Sequence, residues 1–193
     1  TAYEIMPSLV GSEMCIRDRG RIDPLKGLDR LIEALKHING EQPPLLMVVG
    51  GDQHSHSQME ALRKLAGELG IEHRVVFVGA VAQEKLPLFY SAADICVIPS
   101  YYESFGMVAL ESLACGTPVV AADIGGVRQI IRRSEIGQIA SGNSALELAR
   151  GLRQYLSRIK DRSKYIDLRR AAIAEFSWRN IADMILQEYR RLL

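Results

Sequence analysis

The stretch Ile95-Cys96-Val97-Ile98-Pro99-Ser100, followed by Glu103-Ser104-Phe105-Gly106-Met107-Val108-Ala109-Leu110-Glu111, decides how this chain is read. Four consecutive apolar residues form a buried strand, Pro99 and Ser100 leave it as a loop, and Gly106 opens a helix. Met107, Leu110, Leu113 and Ala114 recur at helical spacing and predict the buried face of that helix. Glu103 then precedes the helix N-terminus and Glu111 lies about two turns inside it. At roughly 1.5 Å of rise per residue the two carboxylates can stand on the order of 10 Å apart. That is about the span from a hexose across a diphosphate to a ribose. The free N–H groups of the first turn and the positive end of the helix dipole suit the anion between them. Spacing alone is equally that of two solvated surface glutamates. Gly106, whose missing side chain lets backbone approach a ligand, favours the binding site.

Outward from this segment, strand-like and helix-like patterns alternate, which predicts an α/β domain: a Rossmann-like, doubly wound parallel sheet with helices on both faces, ending in C-terminal helices. Helices are expected near Leu28 to Ile38, Gln58 to Leu69, Glu84 to Ser91, Val127 to Ile131, Ala145 to Arg158, Ser163 to Ala174 and Trp178 to Leu193. Strands are expected at Leu45 to Val49, Val75 to Val78, Ile95 to Ile98, Pro118 to Ala121 and near Gly137 to Ala140. Ligands of such sheets bind beyond the carboxyl ends of the strands. The candidate loops are therefore Arg21 to Gly27, Gly50 to Gln53, Gly79 to Val81, Ser100 to Gly106 and Asp123 to Gly126.

In these loops, Arg21 and Lys26 flank a turn containing Pro24 and can neutralise a diphosphate, the first with paired donors and the second as a point charge. Ordinary surface cations would read the same way. Gly125-Gly126 offers backbone N–H groups to an anion or sugar, or makes a plain tight turn. Gly50-Gly51-Asp52 lacks the third glycine of a dinucleotide loop and reads as a strand-ending turn. His54 and His56 alternate in a polar loop without a third ligand, and His37 and His73 are isolated, so all four read as solvated and no metal site is expected. Acyl hydrolysis lacks a Ser-His-Asp set or nucleophile elbow.

The 193 residues suffice for one substantial domain or half of a two-domain enzyme. Lys and Arg total 24 against 23 Asp and Glu, so no basic footprint for nucleic acid is present. Cys15, Cys96 and Cys115 have no metal or redox spacing, and the last two sit in apolar segments as buried thiols do. A reducing, cytoplasmic setting is expected, with neither a membrane span nor a signal peptide in the sequence. Residues 1–19 show no clear helical or strand period and match translated sequencing adapter. One adapter end encodes Thr1 to Glu4, and a transposon end encodes Leu9 to Asp18. They are read as non-native, which leaves 20–193 as the domain and its first strand missing or replaced.

Arg21-Ile22-Asp23-Pro24-Leu25-Lys26-Gly27, Phe77-Val78-Gly79, the Pro99 to Glu111 block, Ala114-Cys115-Gly116-Thr117-Pro118-Val119-Val120-Ala121 and Gly125-Gly126 occur in that order. With them the chain resembles the C-terminal, donor-binding domain of family 4 retaining glycosyltransferases of the GT-B fold. The resemblance implies transfer of a sugar from a nucleotide-diphosphate sugar to an acceptor hydroxyl with retention. It implies that Arg21 and Lys26 hold the diphosphate and that Glu103 binds hydroxyls of the transferred sugar. Ser104, Phe105, Gly106, Met107 and Val108 would offer main-chain contacts to sugar and phosphate, together with Gly125 and Gly126. Glu111 would accept the ribose hydroxyls, and Gly79, Ala80 and Val81 would border the base. No cofactor or metal beyond the donor is implied. The acceptor would be bound by an N-terminal Rossmann-like domain absent here, toward which the last helix packs, and any peripheral membrane contact would pass through that domain. Val127 and Gln129 depart from the commonest family pattern, in which Pro and Glu follow the glycines. The competing readings are a non-enzymatic nucleotide- or phosphate-binding module and a sibling GT-B enzyme such as glycogen synthase or a phosphorylase.

Overall fold

The computed structural model describes the backbone of residues 14–17 and residues 22–40, 43–51, 55–158 and 165–192. Six strands are seen among them: β1 (Met14–Arg17), β2 (Leu45–Val49), β3 (Val75–Gly79), β4 (Ile95–Ile98), β5 (Val119–Ala121) and β6 (Gly137–Ile139). All pairs are parallel and the order is β3-β2-β1-β4-β5-β6. The expected doubly wound sheet is therefore present.

The order fixes where a ligand can enter. The chain winds outward from β1 through β2 to β3, then returns to lay β4 on the other side of β1 and winds outward again. The helices that follow β1 and β4 pack on opposite faces of the sheet, the arrangement that sets a ligand crevice at the carboxyl ends of these strands.

Strand β1 is the main departure from the sequence reading. Residues 1–19 showed no strand period, yet Met14–Arg17 occupies the centre of the sheet, with Met14 opposite Leu45 and Cys15 opposite Ile95. Its three apolar residues, Met14 to Ile16, are bounded by Glu13 and Arg17 in the sequence, and the strand is recruited by backbone pairing on both sides.

Alternate strand residues serve opposite faces, as a sheet covered on both sides demands. Leu46, Val48, Ile95, Val97 and Val120 enter one apolar cluster with helices α1 (Leu28–Lys36), α2 (His56–Glu68) and α6 (Ala145–Leu156). Met47, Val49, Cys96, Ile98, Val119 and Ala121 enter a second with α3 (Leu86–Ala92), α4 (Met107–Ala114), α5 (Val127–Ile130) and α7 (Ile166–Ala172). Helix α1 shows why the pattern folds. Leu28, Leu31, Ile32 and Leu35 stand at positions i, i+3, i+4 and i+7 and are all buried. Each contributes roughly 2 kcal/mol of burial before the cost of ordering the chain. Observed ends of the helices lie within about three residues of the expected ones where both are described.

Helix α4 corrects its own expectation. Its buried residues are Ala109, Ser112 and Leu113, whereas Met107 is 57% exposed and Ala114 is exposed. The small Ala109 and Ser112 let the helix lie close to its neighbours, and the Ser112 hydroxyl satisfies itself on the Thr117 carbonyl at 3.0 Å. The helix ends in a Schellman arrangement: Gly116 N–H donates to Leu113 O at 2.9 Å and Thr117 N–H to Ser112 O at 3.0 Å. Pro118 then breaks the helical run and leads into β5. Cys96 is buried as expected and Cys115 is partly so, its thiol pushed up in pKa chiefly by burial. The side chain of Cys15 lies outside the described residues.

Helix α8 (Trp178–Leu192) closes the described chain and buries none of its residues.

Candidate functional site

The crevice between the loops of β1 and β4 is built from two turns that touch through their backbones. After β1, Asp23 caps a short 3-10 turn, Pro24–Lys26, by accepting the Leu25 N–H at 2.8 Å. Tyr101 N–H then donates to Leu25 O at 2.8 Å, which ties this turn to the loop after β4. Gly27 follows with φ 67°, and a Cβ there would lie 2.2 Å from the Pro99 carbonyl oxygen. Only glycine allows that approach.

The contact brings Lys26 to Glu103. Its ammonium donates to Glu103 Oε2 at 3.2 Å, with the two side chains 30% and 14% exposed. The other carboxylate oxygen, Oε1, accepts the Gly106 N–H at 3.2 Å. Glu103 thus holds the backbone N–H of Gly106, the residue before α4, with one oxygen and a cation with the other. The Gly106 donor, expected to face a ligand, is engaged by Glu103 here.

The glycine pair after β5 is explained by proximity. A Cβ on Gly125 would stand 2.0 Å from Glu103 O, and one on Gly126 would meet Ser104 O at 2.8 Å and Phe105 O at 2.9 Å. The two loops share a backbone seam, so the pair holds the 103–105 segment from behind. Val127, the departure from the family pattern, is fully buried beneath Gly106.

Glu111 accepts a hydrogen bond from the Tyr90 hydroxyl at 3.0 Å. Tyr90 was not among the expected site residues. It sits 21 positions away in an apolar run of α3, so only the packing of α3 on α4 brings the phenol there. Phe105 meets Phe176 edge-on, centroids 5.9 Å apart. Ser104 and Met107 are exposed, and Val108 is half-buried. Gly79 to Val81 lie at the same carboxyl edge beyond β3, where Gly79 O accepts from Gly50 N–H at 2.8 Å. Ala80 is exposed and Val81 packs on the second cluster. Arg21 and His54 lie outside the described residues. His37, His56 and His73 are exposed, and no group of three His, Cys, Asp or Glu among the described residues is placed to hold a metal.

The arrangement offers a cation, a carboxylate held on Gly106, a helix N-terminus and a second carboxylate along one helix. Comparison with known proteins identifies the family. The pattern of the family described as glycosyl transferases group 1 matches residues 19–171. A D-inositol 3-phosphate glycosyltransferase from Acidothermus cellulolyticus is 38% identical over 183 residues, covering 90% of this chain and 40% of the relative. Sucrose-phosphate synthase from Thermosynechococcus elongatus superposes with a TM-score of 0.79 at 32% identity, over 98% of this chain and 48% of that one. HepE from Anabaena, solved in complex with UDP and glucose, superposes with a TM-score of 0.79 at 25% identity, over 97% and 51%. The chain therefore spans between two fifths and about half of these three proteins, and its fold is that of the C-terminal domain of a GT-B glycosyltransferase.

Proposed function

This chain belongs to the glycosyl transferases group 1, and from that membership we propose that it is the donor-binding part of a family 4, retaining glycosyltransferase that moves a sugar from a nucleotide diphosphate to an acceptor hydroxyl. The observation that carries the reading is the Lys26–Glu103 pair at the crevice between β1 and β4, anchored on Gly106. Lys26 donates a hydrogen bond to Glu103 Oε2 at 3.2 Å. A diphosphate entering the crevice draws the ammonium to itself, which frees Glu103 Oε2 to accept a sugar hydroxyl. Charge and hydrogen-bond demand are thereby exchanged without leaving a buried group unpaired.

Under this reading Arg21 joins Lys26 on the diphosphate, and the first turn of α4 with Gly125 and Gly126 frames the phosphate and sugar. Glu111, oriented by Tyr90, takes the ribose, and Gly79 to Val81 border the base. Two cations and fixed backbone donors neutralise the departing diphosphate, the role a metal fills elsewhere, so we propose metal-independent transfer. The complex of HepE with UDP and glucose supports a uridine donor as the first to try. The acceptor and an N-terminal Rossmann-like domain belong to the part of the relatives that this chain does not cover. Alone, the chain is expected to bind donor weakly and to transfer nothing. Residues 1–19 are proposed to be translated adapter on the strength of their match to adapter sequence. Met14–Arg17 then stands where a native strand of other sequence would lie. A cytoplasmic setting is proposed, and among the described residues no helix is long and apolar enough to cross a membrane.

Calorimetric titration with a panel of nucleoside diphosphates and their glucose conjugates tests the reading. Glu103→Ala should weaken UDP-glucose binding about tenfold more than UDP binding, the weight of a hydrogen bond to a charged group. Equal weakening of both would favour a non-enzymatic nucleotide module. Absence of binding to every nucleotide would reject the site.

A further inference from the structure

Helix α1 carries a charge that the proposed donor site does not account for. Arg30 is 3% exposed, yet its guanidinium reaches three backbone carbonyls on two separate loops. Nη2 donates to Pro99 O and to Ser100 O, the latter at 2.8 Å, and Nη1 donates to Asn143 O. Its plane lies over Tyr101, with Cζ 4.1 Å from the ring centroid. The Tyr101 hydroxyl donates in turn to Asp29 Oδ2 at 3.2 Å, beside Arg30 on the same helix. The absence of a side chain at Gly27 leaves room for this reach, since a Cβ there would sit 3.3 Å from Nη2 and against the Pro99 carbonyl.

A buried guanidinium is a poor device for stability alone, because its desolvation offsets most of what its contacts return. What it supplies is geometry: a rigid fork that holds several acceptors at fixed directions, which an ammonium cannot copy. Burial lowers the Arg30 pKa from its ordinary value, and the group remains charged because guanidinium does not deprotonate in proteins. Burial also raises the Tyr101 phenol, which stays neutral and able to donate.

Two of the three carbonyls Arg30 holds, those of Pro99 and Ser100, are the first two of the loop that leads to Glu103 and Gly106. The helix it stands on begins directly after Lys26 and Gly27. We propose that Arg30 is a positioning residue which, by clamping Pro99 and Ser100 to α1, sets the separation of Lys26 and Glu103 and so the sugar-dependent part of donor affinity. This rests on the donor-binding reading above. Arg30 touches no ligand itself. It acts through the loop, and Asn143 anchors the guanidinium from the side of α6.

The test compares wild type, Arg30→Lys, Arg30→Met and Tyr101→Phe in the 193-residue chain. Each is titrated with UDP and with UDP-glucose, and amide hydrogen exchange of residues 100–106 is followed without ligand. In Arg30→Met, UDP-glucose affinity should fall about tenfold while UDP affinity changes less than about threefold, and exchange should quicken in 100–106 above any global change. Arg30→Lys should recover part of the ratio, and Tyr101→Phe, which keeps the ring, should stay near wild type. If Arg30→Met fails to fold, the ratio is read on Arg30→Lys. An unchanged ratio of the two affinities, with only the folded fraction reduced, would make Arg30 merely structural and overturn the proposal. Should wild type bind neither ligand, the donor reading fails, and exchange alone decides: unaltered protection of 100–106 refutes the clamp, and selective loss of it sustains the clamp as a device of the loop.

Discussion

Helices α4 and α8 are opposites in what their sequences advertise and what they bury. Helix α8 has the sharper amphipathic pattern, with Trp178, Ile181, Ile185, Tyr189 and Leu192 along one stripe, yet it buries no residue and leaves Trp178 87% and Leu192 83% exposed. Helix α4 is apolar nearly all round and shows a weak stripe, yet Ala109, Ser112 and Leu113 are wholly inaccessible. The difference teaches that patterning records which face could be buried, while burial itself depends on what the chain places opposite. Helix α4 lies between the sheet and α3, α5 and α7, whereas α8 meets the described chain chiefly at the turn Ala174–Phe176.

Two measurements would sharpen or break that contrast. Leu113→Ala should cost about 3 kcal/mol by denaturant titration, because it opens a cavity in the second cluster. Leu186→Ala, on a residue 51% exposed in α8, should stay within about 0.5 kcal/mol. Comparable losses at the two sites would show that α8 is covered in solution after all.

Next in size is the seam behind the site. Gly125→Ala should destabilise the chain by about 2 to 3 kcal/mol, since the new Cβ meets Glu103 O and the residue has φ 39°. Gly70→Ala makes the natural control: φ is 70° but nothing lies within 4 Å, so only the conformational cost of about 1 kcal/mol remains. Differential scanning fluorimetry that gave the two variants equal shifts would remove the argument for close approach.

The smallest effect concerns a purely local contact. The Ser144 hydroxyl and backbone N–H hold the Glu147 carboxyl below its ordinary pKa at the start of α6. A depressed folded pKa means that this cap contributes at neutral pH and loses its contribution as pH falls through that depressed value. The melting-temperature gap between wild type and Ser144→Ala should therefore narrow on acidification below the usual glutamate range. A gap that widened instead would contradict the sign.

The same division runs through the site. Lys26 and Glu103 were both legible as candidates, because each follows a strand and each has the charge a diphosphate or a sugar hydroxyl requires. Their pairing was not, since 77 residues separate them and only the return of β4 beside β1 brings them together. Tyr90, Arg30 and the seam at Gly125 were silent for the same reason. The buried face of α4 was misread because Met107 fits the helical period while standing at the open mouth of the crevice. Strand β1 was missed because its apolar run, Met14 to Ile16, is only three residues bounded by charges and lies in the stretch read as adapter.

By itself the sequence determined the alternation of strands and helices, the parallel sheet, the loops able to carry a ligand and the resemblance to a donor-binding domain. These rest on local signals: apolar periodicity, glycine and proline punctuation, and charge next to turns. The tertiary structure alone decided which carboxylate meets which cation, why Gly27 and Gly125 admit no side chain, and which helix face is covered. Those properties depend on contacts between segments far apart in the chain, and close packing is settled only when the sheet has brought them into register.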